Sequence, residues 1–388
     1  MLGLALLGGE SGLGAVGYLV AHALCLDERP WRERVRSLAP FGVVLAVWAA
    51  LYRLGHYGTE GSGMYVDPAR NPLRYLAGVP RALMLNVASE WGGLAPETGL
   101  VLSQTGRRVI VGVGVVAVAL SLLGLARSLR TRPSTRFLLL GGLLALLPSC
   151  STMPATRLLL IPGIGLVGVM AEALTDLVEG VDAGSLASRV GLRWIGGWAG
   201  VAHLVLSPLL VLPLSWSMLL FHNVMVGWAE SFPPDDAALG AQRLVVVNAP
   251  DSAFVGYTQL IRAQHGSTLA RSLFALASGS HPCSLTRLSD REVLVHAPGG
   301  FYQRDTELLT RDLHVPMPAG SRVSVPDIDV VVLRTMPRGV PDLARFTFAG
   351  GLDDPRYRWT RWQGKHLVPF ALPAVGVRVD IEGRLLEP

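Results

Sequence analysis

Arg157 sits where two apolar runs meet, in the stretch Leu144–Met170, LALLPSCSTMPATRLLLIPGIGLVGVM. The first run stops at Pro148, a polar knot of small residues follows, and Arg157 opens the second run. Two apolar segments joined by so short a connector read as a membrane hairpin whose tip carries one fixed positive charge. A guanidinium is charged at any accessible pH and offers a planar fork that suits phosphate or carboxylate. Two readings fit it: the side chain snorkels to the lipid headgroups, or it holds a lipid phosphate. Glu10, in LLGGESGLG, is the second residue of this kind, a carboxylate less than halfway along an apolar stretch. An ionised group there costs about 2–4 kcal/mol and usually faces a cavity or partner. The plainer alternative is a neutral carboxyl satisfied by a neighbouring helix.

Other chemistry is sparse. There is no Walker loop, and Gly112-x-Gly114 lies inside an apolar run, so it opens no nucleotide site. Neither G-x-S-x-G nor H-E-x-x-H occurs. His265, His281, His296 and His314 lack metal-ligand spacing, and three cysteines without a C-x-x-C pair exclude a cysteine-built metal site. No metal and no cofactor is expected. Arg358–Trp359 and Arg361–Trp362 alternate charge and ring. That pattern suits a surface for sugars or anions, or a strand with one face buried under its tryptophans.

The elements that must position these residues are mostly membrane helices. Half of the 388 residues are apolar and only 16 % are charged, a membrane-protein profile. The net charge of +5 is carried almost wholly by arginine, Lys365 being the one lysine. No dense basic patch forms, which argues against nucleic acid. Leu2–Cys25 is long enough to span and is followed by Arg29, Arg32, Arg34 and Arg36, which places the N-terminus outside. Pro40–Leu54 returns. Residues 55–106 form a polar outer loop holding His56, Glu60, Asp67, Arg70, Arg74, Glu90 and Glu97. Within it Val79–Trp91 has a helical pattern, Leu83, Met84, Val87 and Trp91 on one face and Asn86 and Glu90 assigned to the other, as in an interfacial helix. Val109–Ala126 is the third span. Phe137–Pro148 covers only about 18 Å and spans only if it continues through Cys150–Met153. Leu158–Leu177 is the fifth, and Trp194–Phe221, kinked or tilted around Pro208 and Pro213, is the sixth. The short loops bearing Arg127, Arg130, Arg132 and Arg136, and Arg189 and Arg193, fall on the same side as the first arginine cluster.

Residues 1–230 thus read as a polytopic membrane region, 231–242 as a Pro/Asp linker, and 243–388 as a β-rich domain that parity puts outside. Strands are predicted at Leu244–Asn248, Ser284–Leu288, Glu292–His296, Arg322–Val325, Asp329–Arg334, Ala344–Phe348, Arg356–Trp362 and Val377–Ile381, with a helix at Ser252–Gln264. Their regular spacing points to a mostly antiparallel sandwich or barrel. From Asp236 onward the domain is expected to fold alone. Cys150 and Cys283 share the outer side, where a disulfide is chemically allowed.

The run Pro154-Ala-Thr-Arg157-Leu-Leu-Leu-Ile-Pro162-Gly-Ile-Gly165 resembles the helix-opening motif of membrane O-mannosyltransferase-like proteins of the GT-C class. Leu6–Gly14, with Glu10 early in a span, is similar to a Lys-Glu-bearing helix of that family, with Gly9 where the lysine is expected. The resemblance is confined to these two segments within residues 1–225. It implies transfer of a sugar from a polyprenyl-phosphate carrier to a glycan or protein acceptor, with Arg157 on the carrier phosphate and Glu10 orienting it. It also implies an acidic base in an outer loop, for which Glu60 and Asp67 are the candidates. That family carries its acid after a first span that has no counterpart here, so the chain looks like the C-terminal half of the architecture.

The sequence reading is therefore a membrane all-α region of about six helices followed by a β-rich extracytoplasmic domain. It describes a multi-pass protein of a bacterial inner membrane, related to lipid-linked-sugar glycosyltransferases as an incomplete or accessory unit. A non-enzymatic membrane scaffold whose outer domain binds glycan or a protein partner is the alternative.

Overall fold

The computed structural model describes residues 1–58, 61–92, 95–96, 104–232, 238–278, 281–302, 307, 310–337 and 339–383. The chain divides into two compact units: residues 1–60 with 64–214, and residues 215–388 with 61–63.

The first unit is helical. Gly8 and Gly9 interrupt the expected first span, because Gly9 adopts φ 143°, a conformation open to glycine and costly for other residues. The stretch becomes α1 (Leu2–Leu7), a 3-10 turn (Glu10–Leu13) and α2 (Gly14–Cys25). Twelve residues of α2 reach about 18 Å, short of a roughly 30 Å core. The expectation of six spans is corrected accordingly: among the described residues five helical segments are long and apolar enough to cross a membrane. They are α3 (Trp31–Leu54), most of α5 (Gln104–Thr131), α6 (Pro133–Leu146) extended by a 3-10 turn to Ser151, α7 (Leu160–Val178), and a continuous stretch from Leu186 to Glu230. Between α3 and α5 lies α4 (Pro72–Gly92). The continuation of α6 through Cys150 supplies the length that the apolar run alone lacked.

The last stretch comprises α8 (Leu186–Ala199), a π-helical segment (Gly200–Leu206) and α9 (Ser207–Glu230). The wide turn falls just before Pro208, which has no N–H and whose ring would strike the carbonyl four residues back in a regular helix. Ser207 Oγ donates to the Ala202 carbonyl there at 2.8 Å.

Glycines let the helices close up. A Cβ on Gly17 of α2 would stand 2.6 Å from the Ala145 nitrogen of α6, and Gly124 of α5 meets the Gly191 backbone of α8 directly. Around these contacts Leu125, Leu146, Leu166, Val169, Met170 and Ile195 are fully buried. Asp176 of α7, 4 % exposed, accepts from both terminal nitrogens of Arg132 (2.8 and 3.0 Å) and from Ser128 (3.0 Å). By contrast, α3 and the stretch 186–230 expose Val43, Val47, Leu51, Leu209, Leu212 and Leu220. Such all-round apolar helices suit contact with lipid. Because side chains at Gly191 have nowhere to go, Gly191→Leu is expected to lower stability by at least about 2 kcal/mol. A thermal melt of the detergent-solubilised protein checks it.

The described residues of the second unit hold ten strands. β1 (Arg243–Ala249), α10 (Ser252–Gln264) and β2 (Ser272–Ser278) make a parallel strand–helix–strand unit, and β1 also pairs in parallel with β8 (Tyr357–Gln363), which pairs antiparallel with β9 (His366–Pro369). This four-stranded sheet has the order β2-β1-β8-β9. A second, antiparallel sheet runs β10-β3-β4-β7-β6-β5, built from β3 (Cys283–Arg287), β4 (Glu292–His296), β5 (Arg322–Val325), β6 (Ile328–Thr335), β7 (Pro341–Phe348) and β10 (Arg378–Ile381). Six of the eight strand pairings among the described residues are antiparallel, and two sheets pack on each other. Of the sandwich and the barrel it is thus the sandwich that forms; the departure is the mixed sheet, because the helix after β1 carries the chain back to a parallel neighbour.

Two apolar layers flank the mixed sheet. Val245, Val247, Tyr357 and Trp359 face Leu285, Val293, Val295, Phe346 and Phe348 of the other sheet. Leu244, Val246 and Trp362 face the opposite way, against Phe254 and Ile261 of α10 and against Met225, Trp228, Ala229 and Phe232 from the end of α9 and just beyond it. Trp359 and Trp362, three residues apart, point to opposite faces, and each is less than a tenth exposed. The tryptophans of β8 are core residues on both sides.

Candidate functional site

Arg157 lies in a 3-10 turn (Thr156–Leu158) that leads into α7. Its side chain is exposed, and it has no hydrogen-bond or ion-pair partner among the described residues. The turn before it is well tied: Val66 N–H donates to the Ser151 carbonyl (2.7 Å), Tyr65 and Thr152 form an isolated bridge, and Tyr75 Oη donates to the Leu147 carbonyl (2.7 Å).

Asp67 follows that bridge. Its Oδ1 accepts from Ala69 N–H at 2.8 Å, its carbonyl accepts from Asn71 N–H, and Arg70 stands 3.6 Å away. These are the bonds of an Asx turn leading into α4. Glu10 is exposed and accepts from the Tyr52 hydroxyl of α3, so a neighbouring helix does satisfy it. Trp48, Tyr52 and Tyr57 form a ring ladder with centroids 5.0 and 5.8 Å apart, and Asp67 lies within electrostatic reach of Tyr52. The structure therefore hydrogen-bonds Glu10 to Tyr52 and brings Asp67 within electrostatic reach of the same tyrosine, and Asp67 follows the bridge to the turn that precedes Arg157. Glu60 lies outside the described residues.

The acid that the sequence reading passed over is Glu90. Assigning Asn86 and Glu90 to the polar face of α4 was an error of phase. Glu90 is seven residues, nearly two full turns, beyond Leu83, and so points almost the same way. Val87 and Trp91 are buried in the helical core, and Asn86 and Glu90 border them rather than oppose them. Trp91 Nε1 donates to the Leu166 carbonyl at 3.1 Å. The Glu90 carboxyl packs over Gly163 in the first turn of α7, and burial pushes its pKa up to about 7.

All three cysteines are free. Cys150 and Cys283 are buried, and burial pushes the Cys283 thiol up to about 12. An impermeant maleimide is therefore expected to leave Cys283 unmodified until the protein is denatured; fast labelling of the folded protein would contradict this packing. Among the described residues no three His, Cys, Asp or Glu side chains converge on a metal-sized space.

On the second unit an open groove of about 370 Å³ is rimmed by Gln242, Asp353, Asp354 and Arg358 over Tyr357, Trp359 and Phe370. Arg287 holds Asp353 from the side at 2.5 Å, which keeps that carboxyl below the usual range.

No family model, curated protein or solved structure matches the chain.

Proposed function

We propose that the chain is an integral membrane protein related to lipid-linked-sugar glycosyltransferases, acting as an incomplete or accessory unit, in which Arg157 holds the phosphate of a polyprenyl carrier. The observation that carries this reading is an exposed guanidinium, without a partner among the described residues, at the turn between two apolar helices. A guanidinium that folding leaves unpaired keeps its whole fork for an anion, and at the end of apolar helices the anion at hand is a lipid phosphate. Glu10, engaged with Tyr52, orients groups beside the carrier. Asp67 remains the described candidate for the base in this scheme, with Glu60 beside it in the sequence. The β-rich domain then lies outside, on the side of the acceptor.

Arg157→Lys keeps the charge but loses the fork, so polyprenyl-phosphate binding should weaken while membrane insertion stays normal. Arg157→Ala should bind about 10–100-fold more weakly, the loss of one charge-assisted pair. Unchanged binding by Arg157→Ala would leave snorkelling as the explanation.

The groove around Arg358 favours a second reading, a non-enzymatic membrane-anchored scaffold. Its mixed carboxylate, amide and guanidinium rim suits glycan or peptide.

A further inference from the structure

Two polar side chains of α4 take no part in the scheme above. Asn86 is 1 % exposed, and neither its Nδ2 nor its Oδ1 has a hydrogen-bond partner among the described residues. An unpaired buried donor or acceptor costs roughly 1–3 kcal/mol, and native structures hold few such groups without a reason. Glu90 stands four residues on, the spacing that brings two side chains to about 5–6 Å on one helix face. Its carboxyl makes no hydrogen bond among the described residues. It occupies the space that the missing side chain of Gly163 leaves, since a Cβ there would come within 2.5 Å of Oε1. The nearby Tyr18 hydroxyl is already spent: it donates to the Ile161 carbonyl (2.9 Å) and accepts from Gly165 N–H (2.7 Å).

The chemistry of the pair narrows what it can hold. An anion meets the Glu90 carboxylate. A cation meets the opening turn of α7, the positive end of that helix's dipole. A neutral hydroxyl suits both sides: its O–H donates to the carboxylate, and its lone pairs accept from the Asn86 amide. Asn86 is sealed and Glu90 only half-buried, so entry is past Glu90. We propose that Asn86 and Glu90 form a binding site for a neutral hydroxyl-bearing ligand, an alcohol or polyol. This goes beyond the phosphate reading and does not depend on Arg157.

The test uses the full chain in lipid nanodiscs at pH 8, titrated with glycerol and followed by saturation-transfer NMR. Acetone, which accepts but cannot donate, is the second probe. Glycerol should give a saturable signal and acetone should not. Asn86→Leu, free of ligand, should melt at or above the wild type because two orphaned polar atoms are gone, yet bind glycerol about tenfold more weakly. Glu90→Leu should lose the signal likewise, and Arg157→Ala should keep it. Equal signals from glycerol and acetone, an unchanged glycerol signal in either leucine variant, or a ligand-free melt of Asn86→Leu well below wild type would each overturn the site.

Discussion

A fragment comprising residues 236–388 is expected to melt without cooperativity, whereas one beginning at His222 should melt sharply. What separates the two fragments energetically is four residues before Pro233. Met225, Trp228, Ala229 and Phe232 cover the outer layer of the mixed sheet, with Trp228 and Phe232 packed on Phe254 at ring distances of 5.9 and 6.2 Å. Arg262 fixes the same segment, donating to the Ala229 carbonyl at 3.0 Å and lying 4.8 Å over the Phe232 ring. Each large apolar side chain removed from a core forfeits about 1.5–3 kcal/mol. Three of them approach the whole stability of an ordinary domain, about 5–15 kcal/mol. Removing them also leaves a buried guanidinium with one bond fewer. Circular dichroism and a denaturant titration of the two fragments decide it, and equal cooperativity would mean that the end of α9 is dispensable. Against the expectation that the domain folds alone from Asp236 stands this layer, part of which lies before that residue.

Glu90 should make the helical unit more stable at low pH. Its carboxyl titrates near 7 when folded, against an ordinary value of 4.5. Between these values the folded state holds the proton and the unfolded chain has released it, so stability falls as pH rises from 4.5 to 7 and is flat above. The full separation corresponds to about 3 kcal/mol. Partial exposure screens it, leaving about 1–2 kcal/mol as the expected size. Glu90→Gln cannot ionise, so it should match the wild type at pH 4.5 and exceed it by that amount at pH 8. Unfolding in detergent at the two pH values measures the difference. A variant that parallels the wild type throughout would mean that Glu90 is fully solvated.

Much of this fold is legible in the residues. Ser252–Gln264 and Glu292–His296 appear at the predicted limits, because polar punctuation brackets each apolar pattern. β2 escaped notice: SLFALAS alternates poorly and is rich in residues that also suit a helix. The break in the first apolar stretch was written in Gly8-Gly9, but hydropathy averages over two glycines and does not register a backbone turn. The site was less legible. Arg157 stands out as a charge between apolar runs, whereas Glu10, Tyr52 and Asp67 meet only through tertiary packing. Glu90 was visible as an acid yet misplaced by phase, and its burial depends on α7, whose glycine at 163 no local pattern ties to α4.

The most direct test of the phosphate reading compares two lipids that differ only at the headgroup. The full chain in nanodiscs is titrated with a polyprenyl phosphate and with the free polyprenol of the same length. A charge-assisted clamp at Arg157 predicts saturable binding of the phosphate and at least about tenfold weaker binding of the alcohol. Equal affinity for the two would mean that the chain recognises the isoprenoid alone and that Arg157 holds no phosphate.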